Sequence, residues 1–189
     1  YSPKLNIAHV SNKDKIKVLY IDDEQNNLVS FKASFRFDYN VFIANNTEEA
    51  VSILRQNPDI SVILSDQKMP DKTGVEFFEE IRQEFPNPVR ILITGYADIE
   101  SVISAINRGH VFRYIKKPWS EEDIRSSIDQ AHKFYITTAL LAIKNDELQK
   151  AYNELDKFAY SATHDMRGPI LSVLGIIDLS KNTEDVGEI

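Results

Sequence analysis

The sequence predicts an α/β fold: a doubly wound, five-stranded parallel sheet in the order 2-1-3-4-5, followed by one long C-terminal α-helix. Three observations predict it. Short runs rich in β-branched and aromatic residues alternate with helix-period segments from Lys17 to about Ala131. Charged residues stand directly behind several of those runs. From Ser120 to Arg167 there is neither Gly nor Pro, and good helix formers dominate. The 189 residues have room for one domain of about 100–150 residues and an appendage.

In chain order, the expected strands are KVLYI at 17–21, VFIA at 41–44, SVILS at 61–65, RILIT at 90–94 and VFRYI at 111–115. A first helix from about Glu24 to Arg36 sets Leu28, Phe31 and Phe35 at helical spacing. The second opens with Asn46 three residues before Glu49, a capping-box pattern. The third, from about Gly74 to Phe85, carries Val75, Phe77, Phe78 and Ile81, and the fourth runs from about Ile99 to Asn107, ended by Gly109. The final helix, from Ser120 to Arg167, would extend roughly 70 Å at 1.5 Å per residue, too long to lie only on the sheet. Leu141, Leu148, Leu155 and Ala162 recur every seven residues, with Thr138, Asn145, Tyr152 and Ala159 in the companion positions. That seam predicts a coiled coil and a parallel homodimer, with folding back onto its own domain as the alternative.

Composition removes several classes. A formal net charge of −7 repels polyanions, so nucleic acid is not an expected direct partner. Without Cys there is no disulfide framework or thiolate chemistry, which fits a reducing compartment, and the cytoplasm is the expected location. The apolar stretches Tyr135 to Ile143 and Ile170 to Leu179 fall short of the roughly 20 residues that span a bilayer. The chain opens on Tyr, with no apolar signal core, and is expected to be a piece of a longer protein.

In open parallel sheets, ligands collect beyond the carboxyl ends of the strands. Here Asp22 and Asp23 follow the first strand and Asp66 the third; Thr94 ends the fourth, and Lys117 follows the fifth. An acid behind one strand can simply cap the next helix. Chemically matched groups behind four strands ask for more. Converging carboxylates need a counterion, and oxygen ligands with incomplete protein coordination favour Mg²⁺. A metal, an ammonium, a hydroxyl and a spare carboxylate together suit phosphoryl transfer onto Asp.

The strings IDDE at 21–24, SDQKMPDKTG at 65–74, TG at 94–95 and YIKKPW at 114–119 resemble the receiver domain of response regulators, which has a flavodoxin-like fold. That resemblance implies Asp66 as the phosphoacceptor, and Asp23 and Asp66 as Mg²⁺ ligands together with the backbone carbonyl of Lys68. Asp22 would act mainly through water. It also implies that Lys117 holds the acyl phosphate, that Thr94 swings toward it and that Tyr114 follows inward as an aromatic switch. Lys116 is expected to be solvated, Met69 and Pro70 to shape the adjoining loop, and Gly74 to free the backbone for the turn into the next helix. Lys68 and Tyr96 flank the phosphoryl position, and bulky Tyr96 predicts slow self-hydrolysis.

Of four histidines, His9, His110 and His132 carry no expected role. His164 takes an outward heptad position beside Asp165, with Pro169 expected to bend the helix just beyond it. FAYSATHDMRGPILSVLGIIDL at 158–179 resembles the phosphoacceptor box of the dimerisation and phosphotransfer domain of sensor histidine kinases. The resemblance implies His164 as a second phosphoacceptor and Asp165 as its base. Where many members carry Thr or Asn, four residues after the His, this chain has Gly168, which argues against dephosphorylating a receiver. Neither a second bundle helix nor an ATP-binding domain follows within these residues, so the chain is not expected to phosphorylate His164 from ATP by itself.

The expected organisation is a tail at 1–15, a receiver at 16–132, a signalling helix at 133–157 and an incomplete phosphotransfer helix at 158–189. The expected function is phosphorelay signalling, with a cognate histidine kinase or phosphotransfer protein as partner and a histidine kinase as parent. The alternatives are a non-catalytic dimerisation module with a vestigial His164 and, more remotely, a magnesium-dependent hydrolase on the same fold.

Overall fold

A computed structural model describes residues 15–95, 103 and 111–184. Five parallel strands form one sheet in the order β2-β1-β3-β4-β5. They are β1 (Lys17–Ile21), β2 (Asn40–Ala44), β3 (Val62–Asp66), β4 (Val89–Thr94) and β5 (Arg113–Lys116). Three helices, α1 (Gln25–Phe35), α2 (Thr47–Gln56) and α3 (Gly74–Ile81), alternate with the first four strands, and a long helix covers Glu121–Glu184.

Period-two alternation along the strands sorts side chains onto two cores. Val18, Tyr20, Val62, Leu64, Ile91 and Ile93 pack with Leu28, Phe31 and Phe35 of α1 and with Ile124, Ile128 and Ala131 of the long helix. Leu19, Ile21, Ile63 and Leu92 face the other way, onto Ala50 and Leu54 of α2 and Phe77, Phe78 and Ile81 of α3. Every residue of β3 and β4 is buried, because helices cover both faces. That is why these two strands read as near-continuous apolar runs.

Local chemistry sets the helix starts. The Asn46 side chain accepts the Glu49 amide, but the Glu49 carboxylate reaches back to the amide of Asn45, so the expected capping box is only half made. A complete box forms at α3, where Thr73 and Glu76 cap each other. Ser120 and Asp123 exchange the same pair of bonds at the start of the long helix. Helix α3 is shorter than the spacing predicts, ending at Ile81 rather than near Phe85.

The long helix corrects another boundary. It continues past Arg167 and through Pro169 to Glu184. Proline removes one amide donor, and a single lost bond inside a long run of intact ones does not end a helix. The chain divides into two compact units, one up to Ala139 and the other from Leu140 onward. In the second unit the seam residues Leu141, Leu148, Tyr152 and Leu155 are all exposed. Apart from Ile103, the expected fourth helix and its Gly109, as well as Tyr96, His9 and His110, lie outside the described residues. Among the described residues no helix is long and apolar enough to cross a membrane.

Candidate functional site

Parallel pairing aligns the carboxyl ends of the strands, and three of the expected side chains meet there. Asp66 closes β3 and is almost fully buried; its neighbour in register on β4 is Ile93, so Thr94 stands one step beyond. Lys117 follows β5, and its amide donates to the Thr94 carbonyl at 2.8 Å, tying the strand end to β4. The Lys117 ammonium lies 2.5 Å from Asp66 Oδ1 and 3.6 Å from Asp22 Oδ2. Burial pushes the Asp66 carboxyl above its ordinary range, and the bonds from Lys117 and the Lys68 amide only partly offset that. For Lys117, burial pulls downward, but Asp66 and Asp22 together hold the ammonium above its ordinary value.

The second Asp66 oxygen accepts the Lys68 amide at 2.8 Å, so the loop backbone already reaches the site. Close packing underlies that loop. A Cβ at Gly74 would lie 2.4 Å from the Asp66 carbonyl oxygen, 2.7 Å from Leu92 Cδ1 and 3.1 Å from Ser65 Oγ. Gly74 is therefore required by the close approach of α3 to β3, whereas the sequence reading assigned it to backbone freedom in a turn.

Asp22 is also buried, with a full set of donors. The Tyr20 hydroxyl donates to Oδ2 at 2.5 Å, the Glu24 amide to Oδ1 at 2.9 Å, and the Asn27 side-chain amide reaches both oxygens at 3.0 and 3.1 Å. Asp23, the next residue, is exposed. Thr94 is buried, its hydroxyl donating to the Gly95 carbonyl at 3.1 Å, and Tyr114 is half-buried against the core on the α2–α3 face. Tyr20 and Asn27 were missed in the sequence. The signal was present, since Asp22 comes one residue after β1 and two after Tyr20, the spacing that puts side chains on one face of an extended chain.

No cluster of three or more His, Cys, Asp or Glu side chains is arranged as a metal cage among the described residues. The donor chemistry suits Mg²⁺ nonetheless. That ion keeps several waters and binds proteins through one or two carboxylates plus substrate phosphate oxygens. Asp23, which is exposed, and Asp66, nearly buried at the end of β3, are hard oxygen donors of that kind.

His164 lies on the second unit, exposed, with Nδ1 3.5 Å from Asp165 Oδ1. His132, to which the sequence assigned no role, is half-buried with Nδ1 2.9 Å from Ser61 Oγ, its ring stacked near Tyr135. That is a packing contact at the amino end of β3, opposite the carboxylates.

Comparison with known proteins gives concordant results. The response regulator receiver domain matches residues 18–129. The hydrogenase transcriptional regulatory protein HoxA of Cupriavidus necator is 38% identical over 60% of this chain and 23% of its own length. The chain thus spans about a quarter of the length of the curated relatives it matches first. A response regulator receiver domain protein from Clostridium thermocellum is 30% identical, with a TM-score of 0.62 over 65% of this chain and 98% of that one. The structure described as adenylate cyclase from Rhodopirellula baltica is 31% identical, with a TM-score of 0.65 over 72% of this chain and 98% of that one.

Proposed function

The chain belongs to the response regulator receiver family, and from that premise we propose that Asp66 accepts a phosphoryl group from a phosphohistidine of a cognate histidine kinase or phosphotransfer protein. The observation that carries this is Lys117 at 2.5 Å from a buried carboxylate that ends a parallel strand. In the transfer, the N–P bond of the donor breaks, a bond from an Asp66 carboxylate oxygen to phosphorus forms, and the donor imidazole is left to take up a solvent proton. Lys117 leaves its direct pairing with Asp66 to balance charge on the phosphoryl oxygens. The Thr94 hydroxyl turns from Gly95 to donate to one of them, and Tyr114 moves into the space vacated.

Asp23, Asp66 and the Lys68 carbonyl would hold Mg²⁺, with Asp22 acting through water. When bound, the ion supplies positive charge to the phosphoryl oxygens. The net charge of −7 supports a signalling role carried by protein partners and not by nucleic acid.

On the second unit, exposed His164 beside Asp165 supports a further reading, in which this helix presents a phosphoacceptor imidazole and its base within a larger kinase. The exposed heptad seam from Leu141 to Leu155 supports pairing with a second copy. The competing reading keeps the pairing and makes His164 vestigial.

Phos-tag electrophoresis after incubation with acetyl phosphate and Mg²⁺ tests the first step. A retarded band is expected for the wild type and His164→Gln and is lost in Asp66→Asn. A wild type that stays unshifted with acetyl phosphate and also with a phosphohistidine donor would overturn the proposal. In the full-length parent, unchanged phosphate flow in His164→Gln would favour the vestigial reading.

A further inference from the structure

The geometry points to Tyr20 and Asn27 as positioning residues that clamp Asp22, the carboxylate that acts on the metal through water in the function proposed above. The inference rests on the phosphoryl-accepting reading of Asp66. An ionised carboxylate offers about four lone-pair directions. At Asp22 they meet the Tyr20 hydroxyl, the Glu24 amide and the Asn27 amide bridging both oxygens, with the Lys117 ammonium 3.6 Å from Oδ2. Little remains for a direct bond to an ion. Asp66 accepts one bond on each oxygen, from Lys117 and from the Lys68 amide, so it and the exposed Asp23 keep more lone-pair directions to give.

The clamp is built from rigid parts. Tyr20 is fully buried, and its ring stacks on Phe31 at 4.2 Å, so packing aims the hydroxyl. Asn27 precedes Phe31 by one helical turn on α1, so the same helix face supplies the ring support and the amide. A ligand sphere is as ordered as the groups behind it, and losing one such group typically weakens a metal site about 10–100-fold. Without the phenol, Asp22 keeps its charge but loses its fixed direction, and the water it would share with the ion loses a fixed acceptor.

The test is titration of the whole chain with Mg²⁺ alone, followed by calorimetry and by the fluorescence of Trp119, the single Trp, which packs beside Phe31 and Phe35. Tyr20→Phe is expected to weaken Mg²⁺ binding about tenfold, and Asn27→Ala at least severalfold. Tyr39→Phe, whose hydroxyl bonds Asp129 away from the site, serves as control and should bind like the wild type. Should Tyr20→Phe fail to fold, Asn27→Ala at its half-exposed position decides alone. Unchanged or tighter binding in folded variants, with a wild type that binds, overturns the clamp and leaves the phosphoacceptor reading standing. A wild type indifferent to Mg²⁺ overturns both.

Discussion

The body up to Ala139 and the helix from Leu140 onward both carry apolar helical faces, with opposite fates. Phe31 and Phe78 are completely buried, whereas Leu148 is 69% exposed and Leu155 64%. The spacing of apolar residues is helical in both. It reports that a face exists and says nothing of what covers it. In the body the sheet is the cover, so stability is internal to the chain. On the distal helix, ion pairs such as Lys144–Glu147 and Lys150–Asp146 decorate an exposed surface, where solvent screening leaves them little to contribute.

Truncating one residue on each side should sharpen this contrast most. Phe31→Ala removes a ring packed between Tyr20 and Phe35 and should lower unfolding stability by about 3–5 kcal/mol in urea titrations. Leu148→Ala in dilute protein should cost under about 0.5 kcal/mol, yet weaken self-association measured by sedimentation at high concentration. Equal losses at the two sites would break the comparison.

A single glycine substitution should change sign between the regions. At Gly74 an added methyl meets backbone at 2.4 Å, so Gly74→Ala should destabilise by about 1–3 kcal/mol and disturb Asp66 phosphorylation. At Gly168 a Cβ meets nothing within 4 Å, so Gly168→Ala should strengthen the helix by up to about 1 kcal/mol, read as a later loss of helical circular dichroism on heating.

The smallest effect concerns His132, which joins the body to the first turns of the long helix. Burial lowers its pKa below the ordinary 6.5, with Asp129 opposing only in part. The unfolded chain therefore takes the proton more readily. This contribution to stability is whole above about pH 6.5 and falls as the pH drops through the folded value. Comparing urea midpoints at about pH 7.5 and about pH 5.5 should show a smaller acid-side loss in His132→Gln than in the wild type. Equal losses would remove His132 from that account.

Much of the site was legible because strand ends are short-range features. Asp22, Asp66, Thr94 and Lys117 each follow an apolar run, and parallel pairing alone brings three of them together. The clamp on Asp22 was less legible, because a tyrosine in a core strand reads as packing until its hydroxyl is seen to reach a carboxylate. Gly74 was noticed for the wrong reason, since a turn and a close approach select the same residue and only the neighbouring atoms distinguish them. The run free of Gly and Pro stopped at Arg167, yet the helix goes on through Pro169, because helix continuation draws on hydrogen bonds along many turns.

By itself the sequence determined the order of the elements, the two-faced sheet and the chemical identities at its carboxyl end, because these depend on periodicity and on residues adjacent in the chain. Only the tertiary structure decided which carboxylate is saturated with donors, why α3 needs a glycine at its start, and that His132 packs on Ser61. Each depends on atoms far apart in sequence, whose distances are set by the packing of helices against a sheet.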